Sequence, residues 1–295
     1  MRLTENDLFL LSQCAISAAY KAGKIISEHS AREVTVQNKQ GLASLAAQVV
    51  TEVDHLCEEV ILQTLQPACA IFDLALLSEE SPDDCERLSK DFFWCIDPLD
   101  GTLPFIESVP GYSVSIALVD REGVPCIGVV FDPVEQTLYW AVKGQGAFCN
   151  NRSIELLKNS PSIGHTVSFI TDKSFADDPL YSTVLGEFDR IAQDLGYAGT
   201  EMILQGGAAM NACQVLNKAP ACYFKFPKSR QGGGSIWDYA ATACLFHEVG
   251  LPVSDSIGRP FALNPAGSTF LNHCGVLYAS GPELAERVVD LYRGL

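Results

Sequence analysis

The chain has 295 residues, enough for two layered units with sizeable cores, and a formal net charge of −16. That charge argues against a nucleic-acid polymer as partner, because such binding depends on clustered Lys and Arg. Eleven cysteines without a C-x-x-C pair indicate neither a zinc site nor a complete disulfide framework, so reduced thiols and a cytoplasmic location are expected.

The start, Met1 to Asp7, is acidic and is followed by only four large apolar residues, Leu8 to Leu11. Neither a signal peptide nor a membrane span is expected there. Leu8, Leu11, Ala15, Ala18, Ala22 and Ile26 carry a helical rhythm through residues 5 to 29. A second helix with Leu56, Val60 and Leu65 follows Thr51. Thr51-x-x-Asp54 has the form of a capping box at its start, which leaves Asp54 either a cap or a catalytic acid. Ser78-Glu79-Glu80-Ser81 reads as an acidic loop.

From Phe92 to Phe148 the pattern changes to strands, at 112–119, 127–131 and 137–142, punctuated by turns at Gly123-Val124-Pro125 and Asp132-Pro133. Hairpin-linked strands beside two early helices suggest an α+β lobe. Asn159 to Gly164 is the expected boundary, giving an N-terminal lobe 1–160 and a C-terminal lobe 161–295. In the second lobe, strand-like Thr166 to Ile170 and helical stretches alternate in an α/β manner. Its last helix, introduced by Gly281-Pro282, presents Leu284, Val288 and Leu291. Gln231-Gly232-Gly233-Gly234-Ser235 lacks the Gly-Lys-Ser/Thr ending of a nucleotide P-loop and reads as a flexible connection. The five histidines lack a metal-ligand spacing and read as surface or structural residues.

The most informative stretch is Asp97-Pro98-Leu99-Asp100-Gly101-Thr102, two carboxylates three residues apart between an apolar run and a glycine. Pro98 biases Asp97 toward extended backbone, so Asp97 is expected at a strand end and Asp100 in the turn. A short helix opening near Thr102 would turn free N–H groups toward an anion. Alone, such a turn is commonly just solvated. Glu79 and Asp238, the latter in Trp237-Asp238-Tyr239-Ala240-Ala241, supply further carboxylates. Asp238 also suits the first turn of an alanine-rich helix ending near Gly250. Together, Glu79, Asp97, Asp100 and Asp238 are the hard oxygen donors that Mg²⁺ takes beside a substrate phosphate.

Val49-Val50-Thr51-Glu52-Val53-Asp54, Ser-Glu-Glu-Ser, Asp-Pro-Leu-Asp-Gly-Thr and Trp-Asp-Tyr-Ala-Ala occur in the order and rough spacing of one family. With Gly144 to Asn150 and Gly206 to Asn211, they make the chain resemble the inositol monophosphatase superfamily of Mg²⁺-dependent, lithium-sensitive phosphatases, over nearly its whole length. The resemblance implies a layered α-β-α-β-α sandwich with the active site between the lobes. It implies two or three Mg²⁺ ions: Glu79, Asp97 and the Leu99 carbonyl for the first, Asp97, Asp100 and Asp238 for the second, and a weaker third near Glu79. Thr102 and Asp54 match the pair that orients and deprotonates the attacking water, and the Gly101 and Thr102 N–H groups would cradle phosphate. A small phosphorylated substrate is implied, with no membrane partner, and a homodimer is compatible with the family.

The run from Asp97 through Ser113 to Leu118 looks most like the 3′(2′),5′-bisphosphate nucleotidase branch, which hydrolyses adenosine 3′,5′-bisphosphate. Leu103-Pro104, however, matches neither the Lys-Glu of nucleotidases nor the Thr-Asn of inositol monophosphatases, and Gly206-Gly207 replaces a frequent Gly-Ser. In Cys222 to Pro227, strand alternation puts Phe224 and Phe226 on one face and Tyr223 and Lys225 on the other. Inositol monophosphatases resembling this region carry a glutamate where Lys225 aligns, so Lys225 favours a second phosphate over a polyol, unless it is a solvated strand-end lysine. An inositol or sugar phosphatase is the alternative, and a non-catalytic phosphometabolite-binding protein a third reading.

Overall fold

The computed structural model describes residues 2–30, 36–38, 49–154, 165–228 and 234–295. α1 (Glu5–His29) and α2 (Glu52–Phe72) lie along one face of a seven-stranded sheet. Thr4 and Asp7 close a capping box at the start of α1, and Leu11, Ala15, Ala18, Ala22 and Ile26 form its buried stripe, as their spacing predicts. These residues meet Val53, Cys57, Ile61 and Leu65 of α2 and the sheet residues Trp94, Ile96, Ile116 and Val129. Burying a side chain of this size is worth about 1.5–3 kcal/mol. A two-stranded antiparallel ribbon, β1 (Val36–Asn38) with β2 (Val49–Thr51), precedes α2.

The large sheet runs in order β3 (Ala75–Ser78), β4 (Phe92–Asp100), β5 (Ser113–Asp120), β6 (Pro125–Asp132), β7 (Thr137–Val142), β8 (Gly146–Cys149) and β9 (Arg152–Ser153). Only the β3–β4 pair is parallel among them. Period-two alternation gives it two apolar faces, so Phe93, Cys95, Ala117 and Val119 point away from α1 and α2 into a second core.

That core holds α5 (Ala208–Asn217) and α6 (Ile236–Val249). α6 is apolar on nearly every side, as a helix between two sheets must be. Beneath lies a mixed five-stranded sheet, ordered β11 (Gly199–Leu204), β10 (Thr166–Thr171), β12 (Ala221–Lys225), β14 (Val276–Ala279) and β13 (Val253–Ser254). Its far face packs Phe169, Phe224 and Leu277 against Val184 and Phe188 of α4 (Tyr181–Asp194) and Leu284 and Val288 of α7 (Pro282–Gly294). The layers are therefore α-β-α-β-α, as expected. The expected 160/161 boundary lies outside the described residues, and the two sheets fall on either side of it. Residues 231–233 of the glycine run likewise lie outside them.

No described helix is long and apolar enough to cross a membrane. All eleven cysteines are free thiols.

Candidate active site

Asp97 and Asp100 both belong to β4, which corrects the expectation that Asp100 enters the turn. Asp97 pairs with Ser115 and Asp100 with Ser113, and the register shifts between them. Pro98 is the cause, since it has no N–H to give the ladder and is tolerated at such an irregularity. The extra residue leaves both carboxylates pointing into one space instead of to alternate faces. The chain turns only at Gly101, whose φ of +85° suits glycine, and a five-residue helix α3 (Thr102–Ile106) opens there. The short helix is as expected.

Each partner carboxylate has its own anchor. Ser78 ends β3, and the Glu79 N–H donates to the Ile96 carbonyl at 3.1 Å, next to Asp97. Ser115 Oγ, opposite Asp97 in the ladder, donates to the Trp237 carbonyl at 3.1 Å and ties the first turn of α6 to the sheet. Asp238 closes a capping box there, its Oδ2 accepting the Ser235 N–H at 2.7 Å. The helix ends at Gly250, in the left-handed conformation, where the sequence places it. One oxygen each of Asp97, Asp100 and Asp238 lies within 4.8 Å of the others, and Glu79 hydrogen-bonds to Asp97.

This crowding has an electrostatic signature. Asp97, 2 % exposed, has its pKa pushed well up by burial and then by Glu79, Asp100 and Asp238. Glu79 is raised by burial, by Asp238 and by Glu80, although solvent still reaches it. Burial and Asp238 lift Asp100 to about 7, against the N–H groups of Ala209 and Ala208. These donate to its two oxygens at 2.8 and 3.0 Å, so Asp100 sits on the N-terminus of α5. A Cβ on Gly207 would collide with that carboxylate. Burial also raises Asp238, with Lys225 and the Ser235 N–H opposing.

Asp54 stands in the first turn of α2, 4 % exposed, and its charge reaches Glu79. The side chain of Thr51, its expected capping partner, lies outside what is described. Thr102 Oγ donates to the Leu99 carbonyl at 3.3 Å, which leaves the hydroxyl oxygen to accept a hydrogen bond from another donor.

Lys225 is not a solvated strand-end lysine. It is 7 % exposed, and its ammonium lies 2.9 Å from Asp172 Oδ2. Burial would lower its pKa, but Asp172, Tyr239 and Asp238 hold it well above the usual value. Phe224 and Tyr223 face opposite cores, as strand alternation requires. Sequence reasoning missed Asp172, the Ala208 and Ala209 N–H groups and the Ser235 cap. Asp172 directly follows β10, where ligand-facing residues of α/β sheets gather, and that position was the available signal.

Four carboxylates crowded together, with neither thiolate nor imidazole among them, form a donor set for a hard divalent cation. The residues present fit such an ion.

A model of the inositol monophosphatase family matches residues 7–293. Nus factor SuhB of Pasteurella multocida (strain Pm70) is 29% identical over 276 residues, covering 94% of this chain and 93% of that protein. Inositol monophosphatase 2 of Homo sapiens is 28% identical over 275 residues, covering 92% and 87%. Among solved structures, native extragenic suppressor protein suhB from Bartonella henselae matches with a TM-score of 0.70 at 23% identity, covering 95% of this chain and 97% of that one. At that identity the likeness concerns the fold.

Proposed function

Because the chain belongs to the inositol monophosphatase family, whose members hydrolyse phosphate monoesters, we propose that it is a Mg²⁺-dependent phosphomonoesterase acting through the Asp97, Asp100 and Asp238 cluster. The observation that carries this reading is the convergence of those three carboxylates within 4.8 Å, from two separate elements. Glu79, Asp97 and the Leu99 carbonyl would hold one ion, and Asp97, Asp100 and Asp238 a second. Ions held there supply Lewis acidity to the phosphoryl group and lower the pKa of water.

The rest is the work of the chain itself. Thr102, with its own hydrogen given to Leu99, accepts from the attacking water and fixes its direction. Asp54 serves as the base that takes the water's proton directly, since a threonine hydroxyl alone is too weak and the hydrogen of Thr102 is already held by Leu99. The Gly101 and Thr102 N–H groups cradle the phosphate where charge builds up. This reading goes with a cytoplasmic enzyme, alone or as a homodimer.

For the substrate we favour a 3′(2′),5′-bisphosphate nucleotide, because a lysine at position 225 offers positive charge to a second phosphate. An inositol or sugar phosphate is the second reading. It is favoured by the Asp172 carboxylate, which already neutralises Lys225, and by the names of the relatives. Phosphate release in Mg²⁺, measured in parallel on adenosine 3′,5′-bisphosphate, inositol 1-phosphate and fructose 1,6-bisphosphate, with EDTA as control, decides between them. Lys225→Glu should cut hydrolysis of the bisphosphate nucleotide on the order of a hundredfold more than that of inositol 1-phosphate. Equal loss on both removes the preference for the nucleotide.

A further inference from the structure

A buried ammonium is tolerated only when paired, and the pairing of Lys225 is built by three elements. Lys225 ends β12, Asp172 follows the adjacent β10, and Tyr239 in the first turn of α6 puts its ring centroid 5.8 Å from the ammonium. Tyr239 directly follows Asp238. The field of Lys225 accordingly reaches Asp238 and Asp100, two of the three clustered carboxylates.

A fixed positive charge beside carboxylates that take a divalent cation helps keep those carboxylates ionised and also repels the arriving ion. The ion carries two charges, so once the carboxylates are ionised the repulsion is the larger effect. Asp172 opposes it by cancelling part of the ammonium's field. The next residue, Lys173, meets both carboxylate oxygens of Glu107 at 3.1 Å, just beyond the end of α3.

We propose that the Lys225–Asp172 pair sets the affinity of the Asp100 and Asp238 side of the cluster for a divalent cation, Lys225 weakening it and Asp172 restoring it. Both are positioning residues here, acting through the carboxylates. This inference rests on the cation-binding reading of the cluster.

The test is Mg²⁺ titrated calorimetrically into the full chain after EDTA treatment and dialysis, with Mn²⁺ followed by electron paramagnetic resonance as a second probe. Lys225→Met, close in volume but uncharged, should lower the Kd of the weaker site on the order of tenfold. Asp172→Asn should raise it by a similar factor, Lys225→Arg should leave it within about twofold, and the Lys225→Met/Asp172→Asn pair should return near the wild-type value. A merely structural role would move both single variants the same way. If Asp172→Asn does not fold, the contrast between Lys225→Met and Lys225→Arg decides alone. Wild-type protein that binds neither Mg²⁺ nor Mn²⁺ at millimolar concentration overturns the cation-binding reading itself. Wild-type binding with Lys225→Met unchanged or weakened overturns this inference and leaves that reading standing.

Discussion

Replacing Asp97 by asparagine should stabilise the metal-free protein while it silences turnover. An oxygen of Asp97 lies within 4.8 Å of oxygens of Asp100 and Asp238. Two full charges at that distance repel by about 3.5 kcal/mol at an effective dielectric constant near 20. Protons held by the cluster already relieve part of this, since Asp97 is raised by burial and by its acidic neighbours, so the recoverable share is roughly 1–3 kcal/mol. Asparagine keeps the volume and the Oδ1 that accepts the Leu99 N–H at 3.1 Å, so little is lost in exchange. For a chain of this size the gain is a rise in Tm of roughly 2–6 °C. Scanning calorimetry in EDTA measures it, and phosphate release is followed in parallel. Added Mg²⁺ should raise the wild-type Tm and barely move that of the variant. A lower metal-free Tm for Asp97→Asn would refute the electrostatic reasoning, and wild-type turnover would refute the site.

Asp100, at about 7 in the folded chain against 3.8 ordinarily, favours folding below pH 4 and loses that contribution as pH rises to 7. The upper bound is about 4 kcal/mol. The stability difference between metal-free wild type and Asp100→Asn, from urea unfolding at pH 5 and pH 8, should therefore shift in favour of the variant at pH 8; a pH-independent difference counts against it. Gly207→Ala drives a Cβ into the Asp100 carboxylate and should cost about 1–3 kcal/mol with loss of Mg²⁺ affinity; an unchanged unfolding midpoint would show that the contact yields freely. Thr102→Ala and Asp54→Asn should each lower kcat, and the double variant should lose little more, because the two act on one water. Strict multiplicativity would separate them, and a loss of about 1 kcal/mol of stability with activity retained would return Asp54 to a capping role.

Local pattern specifies the structure where one element decides the outcome. The stripe from Leu11 to Ile26 predicts α1 because helix periodicity and burial coincide there. Gly250 and Gly281-Pro282 mark helix ends through backbone conformation alone. Local pattern is silent where distant segments decide. Asp100 remains in β4 because Ser113 pairs with it across the sheet, which a turn-like Asp-Gly pair does not reveal. Lys225 is buried because Asp172, 53 residues earlier, meets it from the next strand. Whether a strand-end lysine is solvated is settled by its neighbour in the sheet, and sheet order is not written in strand periodicity.

The seam around Asp100 has a dynamic consequence. The amide of Gly207 donates to the Gly111 carbonyl at 2.5 Å, and those of Ala208 and Ala209 donate to Asp100. Three successive amides at the start of α5 are thus bonded to the segment from Asp100 to Gly111, and none can exchange its hydrogen with solvent until that contact opens locally. Their exchange rates form a built-in gauge of opening at this seam. A cation that draws Asp100 away from α5 should speed exchange at Ala208 and Ala209 while leaving Gly207 slow, whereas separation of α5 from the whole Asp100 to Gly111 segment should release all three together.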